Sequence, residues 1–358
     1  MATVGFLVQV SVLAGGAALV VVLWLLFGRA PRCRRLYGRA QRLLQAGQWQ
    51  QALAEIAQQP ALAASSPAWQ QHFRKLEADC HAFAGEEALA QKDYEASLDH
   101  HLRAAQIFHL DAEPVRQRLR EAMLSELHQR FANGSDVQTL GNRLLKLFPA
   151  CTEALFWQAL DDVRPGQIPA ALDRLRSAAA CAEPAVEPPL YLGALLLRQG
   201  EPSEALRYLT IAQRIAPNCP LTHWQLGAAQ AAAGHSAQAV QLLQRAAGPG
   251  GLPRWLNQPM QLWIAGLADT GHSYIARMAA ITPYRCPVFG HDVAGMLHEV
   301  RLELGQAHER LKQFAEAANI YAGLLRDYPP TMSVLRGLGV SLARLGRYDE
   351  AFTHLRTA

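Results

Sequence analysis

Several common signals of metal binding and catalysis are missing from this chain of 358 residues. No two of its six cysteines lie closer than 30 residues, and there is no C-x-x-C pair, so the signatures of zinc, iron–sulfur and thioredoxin-like sites are absent. Scattered cysteines in a long chain are usually small buried residues of a reducing compartment. We therefore predict free thiols at Cys33, Cys80, Cys151, Cys181, Cys219 and Cys286.

Enzyme motifs are also absent. The chain has no G-x-x-x-x-G-K-[ST] loop, no H-E-x-x-H pair and no G-x-S-x-G elbow. The most suggestive cluster is Asp99-His100-His101, but successive helical residues point about 100° apart and cannot hold one ion together. We interpret this cluster as polar helix surface. The sequence predicts no catalytic residue, no cofactor and no metal, and we expect no enzymatic activity.

Lysine is rare, with four residues against 30 arginines, a bias typical of a GC-rich bacterial genome. The net charge is only +4, and six arginines between Arg29 and Arg42 precede the first acidic residue, Glu55. Without these six, 28 basic side chains face 30 acidic ones, so the rest of the chain carries about −2. This balance excludes a general basic surface, and we predict no nucleic-acid partner.

Charge is entirely missing from Val4 to Phe27. As a helix these 24 residues would span about 36 Å, enough for a hydrocarbon core of about 30 Å. A cleaved signal peptide would need a basic N-terminal flank, and Met1-Ala2-Thr3 has none, whereas arginines follow the apolar run. We predict a transmembrane anchor over residues 1–28 and a basic juxtamembrane segment over 29–45. The arginines favour an N-terminus outside and the rest in the cytoplasm, at a bacterial inner membrane.

Beyond the anchor the sequence repeats every 34 residues. This step links Ala171, Ala205 and Ala239 in the middle of the chain, and Gly305 with Gly339 near its end. Such a period is typical of stacked helix–turn–helix units. Because two antiparallel helices cross closely, we expect each glycine of a first helix to meet an alanine of the second.

These positions resemble the tetratricopeptide repeat family. The unit with Leu192-Gly193, Gly200, Ala205, Leu209, Ala212 and Pro217 has the family's spacing, and six further copies of varying quality are recognisable. The resemblance implies an all-α superhelix, or solenoid, behind the transmembrane helix. It also implies that partner proteins or peptides bind in its concave groove.

The spacing predicts where this array is regular. We expect an N-terminal array over residues 34–247, an irregular region with loops over 248–297, and C-terminal repeats over 298–358. Degenerate helical pairs are predicted at Glu113–Phe131 with Asp136–Phe148, and within Gln261–Ala280. The last unit is not followed by a polar capping helix, so we expect the chain to continue past Ala358 or another element to cover that end.

Candidate binding residues lie at first-helix positions. One set is a row of arginines near helix ends, and it has two interpretations: a ladder for an acidic partner, or cations that complement helix C-termini. The other set is aromatic and could face the groove or fill the core. The full set is Arg164, Arg198, Arg310, Arg344, Phe156, Trp157 and Trp224.

The sequence therefore predicts a membrane-tethered scaffold for protein–protein interactions. Its partners would be unidentified proteins or peptides, together with the lipid bilayer around residues 4–27. One alternative is a regulatory or assembly arm of a larger membrane-bound enzyme whose catalytic part lies beyond residue 358. Another is a periplasmic, chaperone-like module with reversed topology.

Overall fold

The computed structural model describes residues 28–63, 66–181, 185–247 and 293–358. The predicted anchor over Val4–Phe27, the predicted pair within Gln261–Ala280 and the sixth cysteine, Cys286, lie outside the described residues. None of the described helices combines the length and apolar character that crossing a bilayer requires.

The described residues are all-α, as predicted, and form seventeen helices without a β-strand. The first nine, α1 to α9, are Arg29–Gln45, Trp49–Ala57, Pro60–Ala63, Pro67–Ala90, Tyr94–Ile107, Glu113–Ala132, Gln138–Leu147, Thr152–Val163 and Ile168–Ala180. The next eight, α10 to α17, are Glu187–Arg198, Pro202–Ile215, Pro220–Ala232, Ser236–Ala247, Val293–Arg310, Phe314–Asp327, Met332–Arg344 and Tyr348–Thr357. Helices α6 and α7 occupy the two segments predicted as a degenerate pair, Glu113–Phe131 and Asp136–Phe148.

The chain divides into two compact units, Met1–Met123 and Leu124–Ala358, with the boundary inside α6. In the second unit, each helix from α7 to α17 packs against the next, and the first helices α10, α12, α14 and α16 contact one another in that order. This succession of helix pairs is the stacking that the 34-residue period predicts.

The register changes between α13 and α14, which pack directly against each other. Two contacts join α12 to α14, Trp224 with Glu303 and Ala231 with Arg310, and both connect residues 79 apart. That separation equals one 34-residue repeat plus the 45 residues of 248–292. Helix α14 thus takes the place of the next first helix after α12, and its described part is Val293–Arg310.

In four helix pairs of the second unit, the two helices meet at a glycine of the first helix. A Cβ atom added to Gly227 would lie 2.8 Å from Leu243 Cγ, and one added to Gly305 would lie 2.6 Å from Tyr321 Cε1. The side chain above each of these glycines is therefore a bulky residue 16 positions later. The expected alanine also lies beside the glycine, since the Ala239 carbonyl oxygen is 3.4 Å from the Cβ atom added to Gly227. Ala239 lies one turn before Leu243 and is fully buried, so its small size lets the helices approach while the leucine fills the space above the glycine.

The turns inside the pairs use a left-handed residue. Gly346 has φ of +80° between α16 and α17, where glycine has no steric penalty. One period earlier, between α14 and α15, the same position is Lys312 with φ of +61°. The fold thus keeps the turn geometry even where the glycine of the repeat is missing.

The first unit packs helices α1 and α2 against α4, and α4 against α5. Its core includes Cys33, Leu36, Ala40 and Phe73. Five of the cysteines predicted as free thiols form no disulfide in the described residues. Cys181 is partly exposed, and the other four are buried: Cys33, Cys80, Cys151 and Cys219.

His101 corrects the interpretation of Asp99-His100-His101 as polar surface. A Cβ atom on Gly85 would lie 2.6 Å from the His101 ring, and the two residues have the same 16-residue separation as Gly227 and Leu243. Ser97 also takes the place of the small alanine, is fully buried and donates a hydrogen bond of 2.9 Å to the Gly85 carbonyl. His101 therefore fills the space between α4 and α5 that a leucine fills in the regular pairs.

Candidate partner-binding cleft between α10, α12 and α14

The second unit contains an open cleft of about 370 Å³ between three consecutive first helices. Small residues line part of it, including Ala194 on α10 and Ala228 and Ala232 on α12. Ala194 and Ala228 are 34 residues apart, so the repeat places a small side chain at the same height on neighbouring helices. The remaining lining residues are Leu197, Arg198, Trp224, Gln225, Glu299 and Glu303.

A tryptophan and a glutamate lie on opposite sides of this cleft. Trp224 Nε1 on α12 donates a hydrogen bond of 3.0 Å to Glu303 Oε2 on α14. The Trp224 side chain is almost wholly buried, and Glu303 is partly buried. Burial raises the pKa of Glu303 to about 8, and the nearby Glu299 raises it further, whereas the indole hydrogen bond and Arg310 act in the opposite direction. At neutral pH this carboxyl group is therefore mostly protonated.

The rim of the cleft carries both signs of charge. Arg198, in the last turn of α10, is exposed to solvent. Glu299 Oε1 on α14 lies 3.4 Å from His298 Nδ1. An extended peptide offers backbone donors and acceptors together with side chains of either charge, and a rim of this kind can contact both.

Two of the four predicted arginines bind backbone carbonyls of a neighbouring helix. Arg164 directly follows α8. Its Nη2 donates a hydrogen bond of 2.7 Å to the Phe131 carbonyl, and its guanidinium group lies 3.7 Å from the centre of the Phe131 ring. Arg310 Nη1 at the end of α14 donates a bond of 2.8 Å to the Ala231 carbonyl. Both carbonyls belong to the second-last residue of the preceding first helix, so both arginines satisfy acceptors at a helix C-terminus.

The other two arginines differ from this pair. Arg198 and Arg344 lie in the last turns of α10 and α16, and both are exposed. Only Arg198 of the four lines the cleft described above. All four arginines of the predicted row are exposed, and what distinguishes Arg164 and Arg310 is the bond that each makes to a backbone carbonyl of a neighbouring helix.

The predicted aromatic residues divide in the same way. Phe156 and Trp157 have no exposed surface, and their ring centres lie 5.1 Å apart. The Trp157 ring also lies 4.9 Å from Phe131 on α6, and Phe156 lies 5.2 Å from Tyr191 on α10. These two rings fill the core because α6 and α10 cover both sides of α8, and the expectation that they face a groove is corrected. Trp224, in contrast, lines the cleft.

Sequence reasoning missed the acidic side of the cleft. Glu299 and Glu303 are four residues apart on α14, so they project from the same face of that helix. The spacing was visible in the sequence, but Trp224 and Glu303 are 79 residues apart and outside the 34-residue period. The missing signal was the change of register, which the sequence alone did not locate.

The buried pair His128 and Glu153 was also missed. His128 Nε2 lies 2.9 Å from Glu153 Oε1, and the side chains are 5% and 0% exposed. Trp157 Nε1 donates to the same oxygen at 3.4 Å. Across the ranges that the structure describes, no group of three or more His, Cys, Asp or Glu residues could hold a metal ion. This pair is therefore a polar contact between α6 and α8 within the core.

In the first unit, His81 on α4 and His100 on α5 form a second unpredicted pair. Their Nδ1 atoms are 3.1 Å apart, and the His100 ring also stacks edge-on against Trp49, with centres 5.0 Å apart. Burial lowers the pKa of His81, and the neighbouring His100 and Arg103 lower it further, against an opposite effect from Asp99. One neutral imidazole can donate to the other, whereas two protonated rings would repel.

Comparisons with known proteins agree with the stacked helix pairs. Residues 190–251 and 302–358 match the family model described as Tetratricopeptide repeat, so the chain carries repeats of this class in both segments. No curated protein matches the chain.

Three solved structures are similar to this chain at low sequence identity and low TM-score. The APC/C hetero-tetramer Cut9–Hcn1 aligns with 90% of this chain and 51% of its own, at 13% identity and a TM-score of 0.42. MamA aligns with 55% of this chain and 90% of its own, at 16% identity and a TM-score of 0.39. A tetratricopeptide repeat protein from Parabacteroides merdae covers 66% and 91%, at 13% identity and a TM-score of 0.37. The repeat assignment accordingly rests on the helix pairs and on the family match.

Proposed function

We propose that this chain is a membrane-tethered scaffold that binds a segment of a partner protein in the cleft between α10, α12 and α14. Tetratricopeptide arrays commonly serve protein–protein interactions because stacked first helices present a continuous surface to a partner. In this chain the partner would bind at the cleft between α10, α12 and α14, and the scaffold would be held at a membrane.

The observation that carries the proposal is the composition of the cleft. Alanines leave space on two neighbouring helices, Trp224 adds a large rigid ring, and Arg198 and Glu299 add charges of both signs at the rim. Binding hot spots are enriched in tryptophan and arginine. A partner segment of several residues would thus find an apolar wall and polar groups within one cleft.

The sequence supports the location. The uncharged run Val4–Phe27 suits a single bilayer-spanning helix, and the arginines after it favour a cytoplasmic position for the repeats at a bacterial inner membrane. A tether of this kind confines the scaffold to two dimensions and so raises the local concentration of whatever it binds.

Photo-crosslinking from inside the cleft tests the binding site. The full-length chain is expressed in its native cells with a benzoylphenylalanine at Ala228, or at Gln238 on the exposed surface of α13 as the matched control. We expect one adduct of constant mass from position 228 that disappears when A194W fills the cleft, and no such adduct from position 238. Identical adducts from both positions, or an adduct that survives A194W in a folded chain, would refute binding in the cleft.

Membrane extraction tests the tether separately. Membranes of the same cells are washed with alkaline carbonate and then treated with protease from either side. We expect the chain to stay in the washed membranes and its repeats to be cut only from the cytoplasmic side. Release by carbonate would refute the anchor, and cleavage from the outer side would support the reversed topology instead.

A further inference from the structure

We infer that one face of α1 binds the anionic headgroups of the membrane and holds the first unit against the bilayer surface. This inference rests on the tether proposed above and adds a ligand class and a named surface. Its four residues, here called the arginine stripe, are Arg32, Arg35, Arg39 and Arg42.

The stripe follows from helical geometry. Its members are spaced by three, four and three residues, so they lie in one row about 15 Å long on the surface of α1. All four side chains are exposed. They border an open concavity of about 640 Å³, which Arg34, Gly38 and Gln59 also line. A row of guanidinium groups around an open concavity suits phosphate groups, which guanidinium binds with two parallel hydrogen bonds.

A neighbouring face of α1 is fixed to the protein. Cys33, Leu36 and Ala40 have no exposed surface and belong to the core that α1 shares with α2 and α4. The helix therefore cannot rotate about its axis without exposing this core. The four arginines therefore project from a fixed side of the first unit.

Arg39 of the stripe forms an ion pair with Glu55 that is open to solvent. Glu55 Oε2 lies 3.9 Å from Arg39 Nη2, and these side chains are 53% and 32% exposed, so the pair is weak. The Nε atoms of Arg35 and Arg42 donate to backbone carbonyls one turn earlier, at Pro31 and Gly38. These bonds orient the two side chains along the helix surface.

The position of the stripe in the chain favours a membrane over another polyanion. Arg32 follows Phe27 by five residues, which span at most about 18 Å, so it must lie near the end of the proposed anchor. Outside the six N-terminal arginines the chain carries about −2, and a nucleic acid would meet no further basic surface. Anionic phospholipids at a cytoplasmic surface attract basic residues within a Debye length.

The far end of the stripe provides the decisive measurement. If α1 pointed away from the bilayer, Arg39 and Arg42 would lie beyond the Debye length of about 8 Å and would not affect lipid binding. If the stripe lies on the surface, each arginine contributes about fivefold to the affinity for anionic lipid. The pair R39Q/R42Q therefore distinguishes binding by the stripe from mere proximity of Arg32.

The experiment uses the full-length chain reconstituted in phosphatidylcholine vesicles with trace spin-labelled lipid. Electron paramagnetic resonance gives the association constant of labelled phosphatidylglycerol relative to labelled phosphatidylcholine. We expect a clear preference for phosphatidylglycerol that falls severalfold in R39Q/R42Q and weakens in 0.5 M salt. The matched control R207Q/R214Q, which removes two exposed charges from α11, should keep the preference.

Three outcomes would overturn the inference: equal association of both lipids, a preference that R39Q/R42Q leaves unchanged, or a loss of preference in R207Q/R214Q of the same size. Stripe-dependent binding of a DNA duplex without a preference for phosphatidylglycerol would assign the stripe to nucleic acid and also overturn it. Carbonate washing of the same vesicles reports on the tether independently. A chain that washes off is then tested by sedimentation with vesicles of each lipid, using the same variants and the same criteria.

Discussion

Trp224 and Glu303 meet across the cleft through a hydrogen bond of 3.0 Å between the indole Nε1 and Oε2 of the carboxyl group. This bond joins α12 to α14, two first helices that are separated in the sequence by residues 248–292. It places a carboxyl group in a partly buried position where its ionised form is disfavoured. The cleft thus has a wall whose charge depends on pH near neutrality.

The first prediction concerns stability above neutral pH. The pKa of Glu303 is about 8 in the folded chain and about 4.5 in the unfolded chain, so the folded state holds more protons between these values. Stability contributed by this group therefore falls as pH rises from about 4.5 through 8. We expect E303Q to melt at a higher temperature than the wild type at pH 9 and to show a smaller loss between pH 6 and 9.

The matched control for this measurement is E87Q. Glu87 Oε2 also accepts an indole hydrogen bond, of 2.7 Å from Trp49, but this pair is exposed. We expect E87Q to leave the alkaline decline in melting temperature intact. An E303Q chain with the same decline as the wild type would contradict the prediction.

The second prediction concerns the contact between Gly227 and Leu243. A Cβ atom at position 227 would lie 2.8 Å from Leu243 Cγ, so we expect G227A to lower the free energy of unfolding by about 1–3 kcal/mol. The change L243A alone should cost about 2–5 kcal/mol, since this side chain is fully buried. In urea titrations the double variant should lose less than the sum of both. The control is G38A, which has open space around it and should raise the free energy of unfolding by about 0.5–1 kcal/mol. Strictly additive losses in G227A and L243A would refute the contact between these residues.

The third prediction concerns the turn at Lys312. Its φ of +61° is unfavourable for a residue with a Cβ atom, and its side chain is exposed, so K312G should stabilise the chain by about 1 kcal/mol. K312A keeps the Cβ atom and should give no such gain. Thermal melts of both variants decide the matter, because equal effects of glycine and alanine would show that backbone strain is not the cause.

The fourth prediction separates the two kinds of arginine. Arg164 donates to the Phe131 carbonyl and covers its ring, so R164A should cost about 1–2 kcal/mol of unfolding free energy. R164K should recover only part of this loss, because an ammonium group cannot stack as a planar guanidinium does. R344A on the exposed end of α16 should stay within about 0.5 kcal/mol of the wild type. Equal losses at both positions would contradict the assignment.

The fifth prediction concerns acid. Burial and the charges of His100 and Arg103 lower the pKa of His81, so the unfolded chain binds a proton there more readily than the folded chain. The stability of the first unit should therefore fall as pH drops below about 6.5. Hydrogen exchange at pH 7.5 and 5.5 should show protection lost in α4 and α5. H81Q should reduce this loss, whereas H235Q, which changes an exposed histidine in the second unit, should not.

The helix pairs and their turns could be predicted because they depend on local spacing. A period of 34 residues fixes which glycines and small residues recur, and the structure places Gly227 and Gly339 at helix crossings. The period does not fix the rotation of each helix about its axis. For this reason the sequence predicted the alanines next to the glycines, Ala239 and Ala351, but not that Leu243 and Leu355, one turn further on, fill the space above the glycines.

The cleft could be predicted only in part, since its walls come from distant segments. Arg198 and Trp224 were recognised by their position in the repeat, but Glu303 is 79 residues from Trp224 and follows a change of register. The burial of Trp157 depends on Phe131 in a degenerate pair whose motif is too weak to give a register. Both cases concern neighbours in space that no local pattern specifies.

The two arginines that bind backbone carbonyls have a mechanical consequence. Arg164 fastens α8 to the end of α6, and Arg310 fastens α14 to the end of α12, so these junctions resist being pulled apart. In the described part of the second unit, Arg198 and Arg344 do not make such a hydrogen bond to the preceding first helix. Under load from a bound partner, we expect the junctions of α6 with α8 and of α12 with α14 to separate later than the junctions that end in Arg198, Ala232 and Arg344.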